Sequence, residues 1–488
     1  MLLSASFLLF MNLGNIYLWQ DEAETALLAK NILTYGYPRA WDGKNIITQN
    51  AEKDFNEHYV WTWSPWLQLY ITAGSFLIFG VNTFSARFPF ALIGVASVII
   101  FYLFTIKLTG NKTTARLSTT LMVTSIPFLL HARQCRWYMP AIFSTIWMVY
   151  AYLKLQEKER NGILQFTISS LILFHSSYLT FLGVMGGTIL HYLYCLFIKL
   201  NKPTLRSMMS SFSFIFLFTF PWIIYTKAWA KSNPFEEYAL PLLIRFKFIF
   251  IKNVIYLNNF LFPVVFIVGI FWLFSKGKEG DKGTTRGNIL LLFFVICFTV
   301  VLLSAMPWIY FRYLIGLVPL CSLLLGLIIG KIMESTKILA LIVLLLLIFT
   351  NVFSLILPPH QIRFDFLNYF YEITHDYDGP NEGIVKCLKE HGNQNQFLKT
   401  NYGQLPIIFY TNMRAVGFSQ DLSIPIEADW IIIRKGRGHQ RYLRFLSRNY
   451  QAITLDYPDI PWGNRPDPFY HKYRTVTNEK RLVIYKKP

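Results

Sequence analysis

The stretch Trp19-Gln20-Asp21-Glu22-Ala23-Glu24 sets neighbouring carboxylates directly after a hydrophobic run, about residues 2 to 18. A carboxylate held at a membrane mouth can take a proton from a hydroxyl, which is general-base chemistry. Asp21 is the candidate base, with Glu22 beside it. The same residues carry a plainer reading, because Asp21 followed three places later by Glu24 is a capping-box-like pair, and in that reading Asp21 does no more than cap a helix. Ala23, Ala26, Leu27 and the run from Lys30 to Leu33 have helical spacing and stop at Gly36 and Pro38. The remaining candidates are cations and their neighbours: Arg87 in "SARFPF", Arg133 and Arg136 in "HARQCRWY", and Arg312 in "YFRYLIG", with His131, Tyr138 and Tyr313 flanking them. A planar guanidinium suits either a phosphate or a carboxylate, and the flanking groups could bond a sugar or serve only as interfacial residues.

The elements that must position these groups are membrane helices. A chain of 488 residues that is 54% hydrophobic, 17% aromatic and only 15% charged, with a mean hydropathy of +0.38, is too apolar for a soluble multidomain protein. Its formal charge of +19 comes from Lys and Arg gathered between hydrophobic runs. The positive-inside rule accounts for that pattern, and nucleic-acid binding is rejected. Cys135, Cys195, Cys297, Cys321 and Cys387 are scattered without metal or disulfide spacing, so neither a metal site nor a cofactor is expected.

Hydrophobic runs near 2–18, 88–106, 117–131, 139–153, 163–176, 179–198, 209–226, 254–274, 288–306, 313–330 and 337–357 make roughly eleven spans. The outer loop 19–87 holds two juxtamembrane helices, one at Asp21 and one opened by Ser64-Pro65 and ended by Gly80. The polar residues between them, Asp42, Glu52, Asp54, Glu57 and His58, read mostly as solvated. Alternation puts "KLQEKERNG", "KLNKPTLR", "SKGKEGDKGTTRG" and "GKIMESTK" in the cytoplasm. "HSSY" is either a loop or a polar turn within the bundle. Arg133, Arg136 and Arg312 then fall in very short outward loops, where few cations are expected. An anion should lie near them, either a lipid phosphate or Asp21 and Glu22 themselves.

From Pro358-Pro359 onward polar residues replace the apolar runs. "NEGIVKCLKEHG" reads as a helix, and "DWIIIRK", "AITLDY" and "RLVIYKK" as strands. The expected division is a membrane domain over 1–357 and a small soluble α/β domain over 358–488, outside the cytoplasm. Asp456, Asp459, Asp467 and His471 match no metal template and read as loop residues.

"WQDEAETALLAKNILTYGYP" resembles the first outer loop of GT-C-fold glycosyltransferases that use polyprenyl- or dolichyl-phosphate sugars, closest to the protein O-mannosyltransferase and lipid A aminoarabinose transferase group. "SPWLQLYITAGSFLIFG", "ARFPFALIG" and "YFRYLIGLVPL" follow in the family's order. The resemblance implies a polytopic helical GT-C membrane domain in which Asp21 is the base, Glu22 positions the acceptor or supports Asp21, and Arg87 lies near the donor phosphate. It also has two departures. Met139 stands before Pro140 where the aminoarabinose transferases carry an acid, and Ser64 stands before Pro65 where they carry a base. A hexose or pentose transferase of the mannosyltransferase-like kind fits better.

The function expected is therefore transfer of one sugar from a polyprenyl-monophosphate carrier, with inversion, to a hydroxyl of a glycan, lipid or protein acceptor outside the cytoplasm. A monophosphate leaving group needs nearby positive charge rather than a general acid. Membrane lipids are the expected surroundings. The competing expectations are transfer of a whole oligosaccharide from a lipid diphosphate and transport of a lipid-linked sugar. Transport would favour internal repeats and mid-span charges, and neither is evident.

Overall fold

The computed structural model describes residues 1–198, 201–228, 241–275, 282–307, 310–376, 378–417, 428–434, 446, 448–474 and 479–488. Contacts gather the chain into two compact units, one of Met1–Leu9, Phe90–Ala132 and Trp137–Tyr369, the other of Phe10–Pro89, Arg133–Arg136 and Phe370–Pro488. This division by contact differs from the expected division at 357/358: residues 19–87 gather with the C-terminal sheet.

In chain order the helices are α1 (Leu2–Phe10), α2 (Gln20–Tyr35), α3 (Leu67–Phe79), α4 (Thr83–Thr109), α5 (Lys112–Thr124), α6 (Ile126–Ala132), α7 (Tyr138–Gln156), α8 (Gly162–Ser176) and α9 (Tyr178–Ile198). They continue with α10 (Leu205–Thr226), α11 (Leu242–Phe260), α12 (Ile267–Ser275), α13 (Lys282–Ala305), α14 (Val318–Ser335), α15 (Lys337–Phe349), α16 (Asp365–Thr374), α17 (Pro380–His391) and α18 (Gln404–Thr411).

The first unit is helical and apolar. Among the described residues five helices are long and apolar enough to cross a membrane, or six if the bent pair α11 and α12 is one span. The protein is thus a multi-pass membrane protein; helices lie in the roughly eleven expected runs, but beyond these five or six they are too short, broken or insufficiently apolar to count as spans. The first run is helical only over α1. The run 117–131 is broken at Ser125, whose backbone turns extended between α5 and α6 because Pro127 follows. The run 254–274 is bent by 84°. Pro263 has no N–H to continue the helix, and the Asn258 carboxamide oxygen accepts the Val264 N–H instead, at 3.0 Å. "HSSY" resolves into a break at Ser177 between α8 and α9.

Small residues bring α9 and α13 close together. A Cβ placed on Gly187 of α9 would lie 2.8 Å from the Phe294 carbonyl oxygen and 2.8 Å from the Val295 nitrogen of α13. Gly183, one turn earlier, meets Thr299 of the same helix. Without a hydrophobic drive between helices in lipid, such small-residue stripes let backbones approach and gain dispersion contact.

The second unit is built on a five-stranded sheet of order β2-β1-β3-β5-β4, with β1 Phe397–Thr400, β2 Arg414–Gly417, β3 Trp430–Ile432, β4 Gln451–Pro458 and β5 Arg481–Lys486. β1 pairs in parallel with β2 and β3, while β5 runs antiparallel to β3 and β4. The central β3 is buried along its whole length, as its unbroken apolar run requires. The segments expected as strands form β3, β4 and β5, and α17 stands where the helix was expected. Lys435, the last residue of "DWIIIRK", lies outside the described residues.

This sheet and its helices hold the outer loop. Asn381 donates to the Leu18 carbonyl at 3.1 Å, the Leu18 N–H donates to the Tyr410 hydroxyl at 2.9 Å, and the Leu405 N–H donates to the Gln20 carboxamide at 3.3 Å. Two buried ion pairs lie inside the unit. Arg434 bonds Asp459 at 2.8 Å, and His471 bonds Glu372 at 2.7 Å. Asp456, expected in a loop, instead lies exposed within β4 and pairs with Arg481 at 2.7 Å.

Candidate active site

α2 begins at Gln20 after an extended Trp19 that makes no side-chain cap bond, so Asp21 lies in the first turn and is not the cap. The capping reading of Asp21 fails on that geometry. The helix ends as expected at Gly36, whose φ of 80° and N–H bond to the Ile32 carbonyl form a left-handed cap. α3 starts at Leu67, three residues later than Ser64. The Ser64 hydroxyl instead accepts a bond from the Trp61 indole at 2.9 Å.

Asp21, Glu22 and Glu24 are all buried, at 7%, 0% and 5% exposure, and successive residues of a helix point about 100° apart. Asp21 and Glu22 consequently face different partners. Glu22 makes a two-point pair with Arg87, from Nε to Oε1 at 2.8 Å and from Nη2 to Oε2 at 2.7 Å, and also accepts the Cys135 N–H at 2.9 Å. Arg87 spends its Nη1 on the carbonyls of Leu13 and Ile16, at 3.2 and 2.7 Å. Four bonds tie this arginine to the protein. Through Glu22 this arginine locks α2 to the start of α4.

Asp21 and Glu24 share the other face. Arg136 donates from Nη1 to Glu24 Oε1 at 3.0 Å and to the Asp21 carbonyl at 2.9 Å, and its Nη2 lies 3.8 Å from Asp21 Oδ2. The Gln49 carboxamide bridges the two acids, with Nε2 2.6 Å from Glu24 Oε2 and 3.2 Å from Asp21 Oδ1. Gln49 is itself held by Asp54, which is fully buried rather than solvated. The Asp54 carboxylate accepts from the Thr48 hydroxyl at 2.7 Å, the N–H groups of Gln49 and Asn50 at 2.9 Å each, and the Asn50 side chain at 3.0 Å. Burial pushes the Glu24 carboxyl up to about 7; Arg136 and Gln49 oppose this, and Asp21 and Asp54 add to it. A proton can therefore be taken up here near neutral pH.

Of the other expected site residues, Arg133 donates to the carbonyls of Met11 and Asn12 at 2.7 and 3.1 Å. The others form a group within the first unit. The His131 ring stands edge-on to Tyr138 at 4.6 Å between centroids, and Nδ1 is 2.8 Å from the Pro127 carbonyl. Arg312 lies over the rings of Tyr310 and Tyr313, at 4.5 and 5.6 Å. Tyr313 in turn stacks on Trp137 at 6.2 Å. Arg245, in the first turn of α11, is a further buried cation of this unit. In the sequence Glu24 stands out only as a capping partner and Asp54 only as a solvated loop acid, while Gln49 and Arg245 carry no signal. The three-residue spacing of Asp21 and Glu24 on one helix face marks Glu24; no local pattern marks a partner 25 or 28 residues away.

No protein-family model matches the sequence. An uncharacterized protein of Aquifex aeolicus (strain VF5) is 26% identical over 288 residues, covering 56% of this chain and about half, 53%, of that relative's length. The fold is similar to ArnT from Cupriavidus metallidurans bound to undecaprenyl phosphate, with a TM-score of 0.57 and 12% identity over 99% of this chain and 96% of that one. It is also similar to the oligosaccharyltransferase of Archaeoglobus fulgidus in complex with Zn and sulfate, with a TM-score of 0.56 and 11% identity over 99% of this chain and 74% of that one. The same archaeal enzyme, AglB, in complex with an inhibitory peptide and a dolichol-phosphate gives a TM-score of 0.53 at 10% identity, over 99% and 75%. The chain thus has the GT-C fold expected from its motifs, a helical membrane region with a small C-terminal sheet.

Proposed function

We propose that this protein is an inverting glycosyltransferase that moves one sugar from a polyprenyl monophosphate to an acceptor hydroxyl outside the cytoplasm. The observation that carries the reading is the Asp21–Glu24 pair: two buried carboxyl groups in the first turns of α2 that share Arg136, with burial pushing the Glu24 carboxyl up to about 7. In this mechanism the acceptor oxygen forms a bond to the anomeric carbon as Asp21 takes its proton. The bond from that carbon to the phosphate oxygen breaks, and the phosphate leaves as a dianion that needs only positive charge. Arg136 keeps the acid pair in place, and Glu22 supports α2 through Arg87. The GT-C likeness to ArnT and AglB, each solved with a lipid phosphate, supports the donor class. Residues 358–488 are placed outside the cytoplasm with Asp21 in this reading.

The test pairs a donor panel with one substitution. Purified protein is incubated with radiolabelled undecaprenyl-phosphate hexoses and pentoses, and the expected result is consumption of one donor. Asp21→Asn preserves shape and hydrogen-bond acceptance but removes the base, so single-turnover transfer should fall about 10²- to 10⁴-fold while donor binding and melting temperature stay near wild type. No consumption of any donor, or near-normal transfer by a folded Asn variant, overturns the reading.

A further inference from the structure

We infer that Gln49 is a positioning residue that couples Asp21 and Glu24 into one proton-accepting unit, so that a proton taken by Asp21 is shared with Glu24. The inference rests on the proposed transferase reading and deepens it. A primary carboxamide has two hydrogens on one nitrogen, and Gln49 Nε2 directs them to two different acids, Glu24 Oε2 at 2.6 Å and Asp21 Oδ1 at 3.2 Å. A donor shared in this way favours the ionised form of both carboxyl groups and fixes the distance between them. Its own position is not left to chance, because the Asp54 carboxylate gathers the backbone N–H groups of Gln49 and Asn50 and the Thr48 hydroxyl. The Thr48 carbonyl further accepts from Gln404 of α18 at 3.3 Å. The Gln49 amide thus bridges two acids of α2 from a loop segment that Asp54 and Gln404 hold in place.

The charged groups facing Glu24 are Arg136, Asp21 and Asp54. Asp21 and Asp54 raise its proton affinity together with burial, whereas Arg136 and Gln49 lower it. Two acids that share a donor and a cation titrate as a pair, with the first proton released at lower pH than the second. In the transfer step the acceptor O–H proton enters this pair, the acceptor oxygen bonds the anomeric carbon, and the carbon–phosphate-oxygen bond breaks. The proton later leaves to water and the pair is restored. No other reactant is needed. Without Gln49 the pair would hold its proton to higher pH, and the base would be unavailable at neutrality.

The test uses the full chain in lipid nanodiscs with Gln49→Met, a close match in length that lacks the donor. Infrared titration of the carboxyl C=O band reads the pair directly. Wild type should show a buried carboxyl titrating near neutrality that disappears in Glu24→Gln. Gln49→Met should move that titration upward by about one pH unit, and Gln49→Asn, which retains the amide, should restore part of the shift. Where a lipid-phosphate sugar is turned over, the acidic limb of kcat against pH should move by the same amount while KM for the donor stays constant. An unchanged titration in a folded Gln49→Met protein overturns the inference, as does an unchanged pH profile in an active one. A moved titration in a protein that consumes no lipid-phosphate sugar supports the coupling and overturns the transferase reading, so the two failures are distinguishable.

Discussion

At the scale of single residues, Asp21 and Glu22 are adjacent in the chain and opposite in fate. Glu22 is fully buried against Arg87 through two parallel bonds, and removing one partner of such a pair leaves an uncompensated charge in a dry place. Glu22→Gln should therefore lower stability by about 3 to 5 kcal/mol, read as a large fall in melting temperature and yield. Asp21→Asn should leave both near wild type and remove turnover. If the two variants melt alike, the division of labour drawn from their geometry is wrong. Nothing in the letters Asp-Glu separates these roles; the 100° step of the helix does.

At the scale of elements, apolar runs identified most of the membrane helices, but breaks inside them followed local chemistry that run length does not register. Ser125 ahead of Pro127 interrupts one run, and Pro263, with the Asn258 side chain capping the exposed N–H, bends another by 84°. The contact of α9 with α13 depends on Gly187, where an added Cβ would meet backbone atoms that cannot swing away. Gly187→Ala should cost about 1 to 3 kcal/mol of stability through overpacking. Gly74, within α3, has open space around its Cβ direction. Gly74→Ala should be neutral or stabilising by about 0.5 to 1 kcal/mol through helix propensity. Comparable losses at both positions, measured by thermal melting in the same detergent, would show that glycine at 187 is not there for close approach.

At the scale of the whole molecule, the second unit interleaves residues distant in sequence: the outer loop, the four residues from Arg133 to Arg136, and the C-terminal sheet. This arrangement ties the topology of the C-terminus to that of Asp21, since the sheet unit bonds the loop at Leu18, Gln20 and Thr48. A reporter fused after Pro488 that is active only outside the cytoplasm should therefore be active, and one fused within Lys154–Gly162 should not. Activity of a cytoplasm-only reporter at the C-terminus would reverse the orientation of the site.

By itself the amino-acid sequence determined the solvent and the class: its apolar content demands lipid around several helices, its glycine at 36 ends α2, and its motif order points to the GT-C fold. It also singled out Asp21 and the arginine at 136. These properties are written locally, in composition, run length and turn chemistry. Only the tertiary structure decided which acid meets which cation. Glu22 and Arg87 are 65 residues apart, Glu24 and Arg136 are 112 apart, and Gln49 reaches α2 from a loop whose shape is set by a buried Asp54. Such pairings depend on the rotation of each helix about its axis and on backbone bonds made by a sheet far along the chain, and neither quantity has a period or a spacing that a single sequence can display.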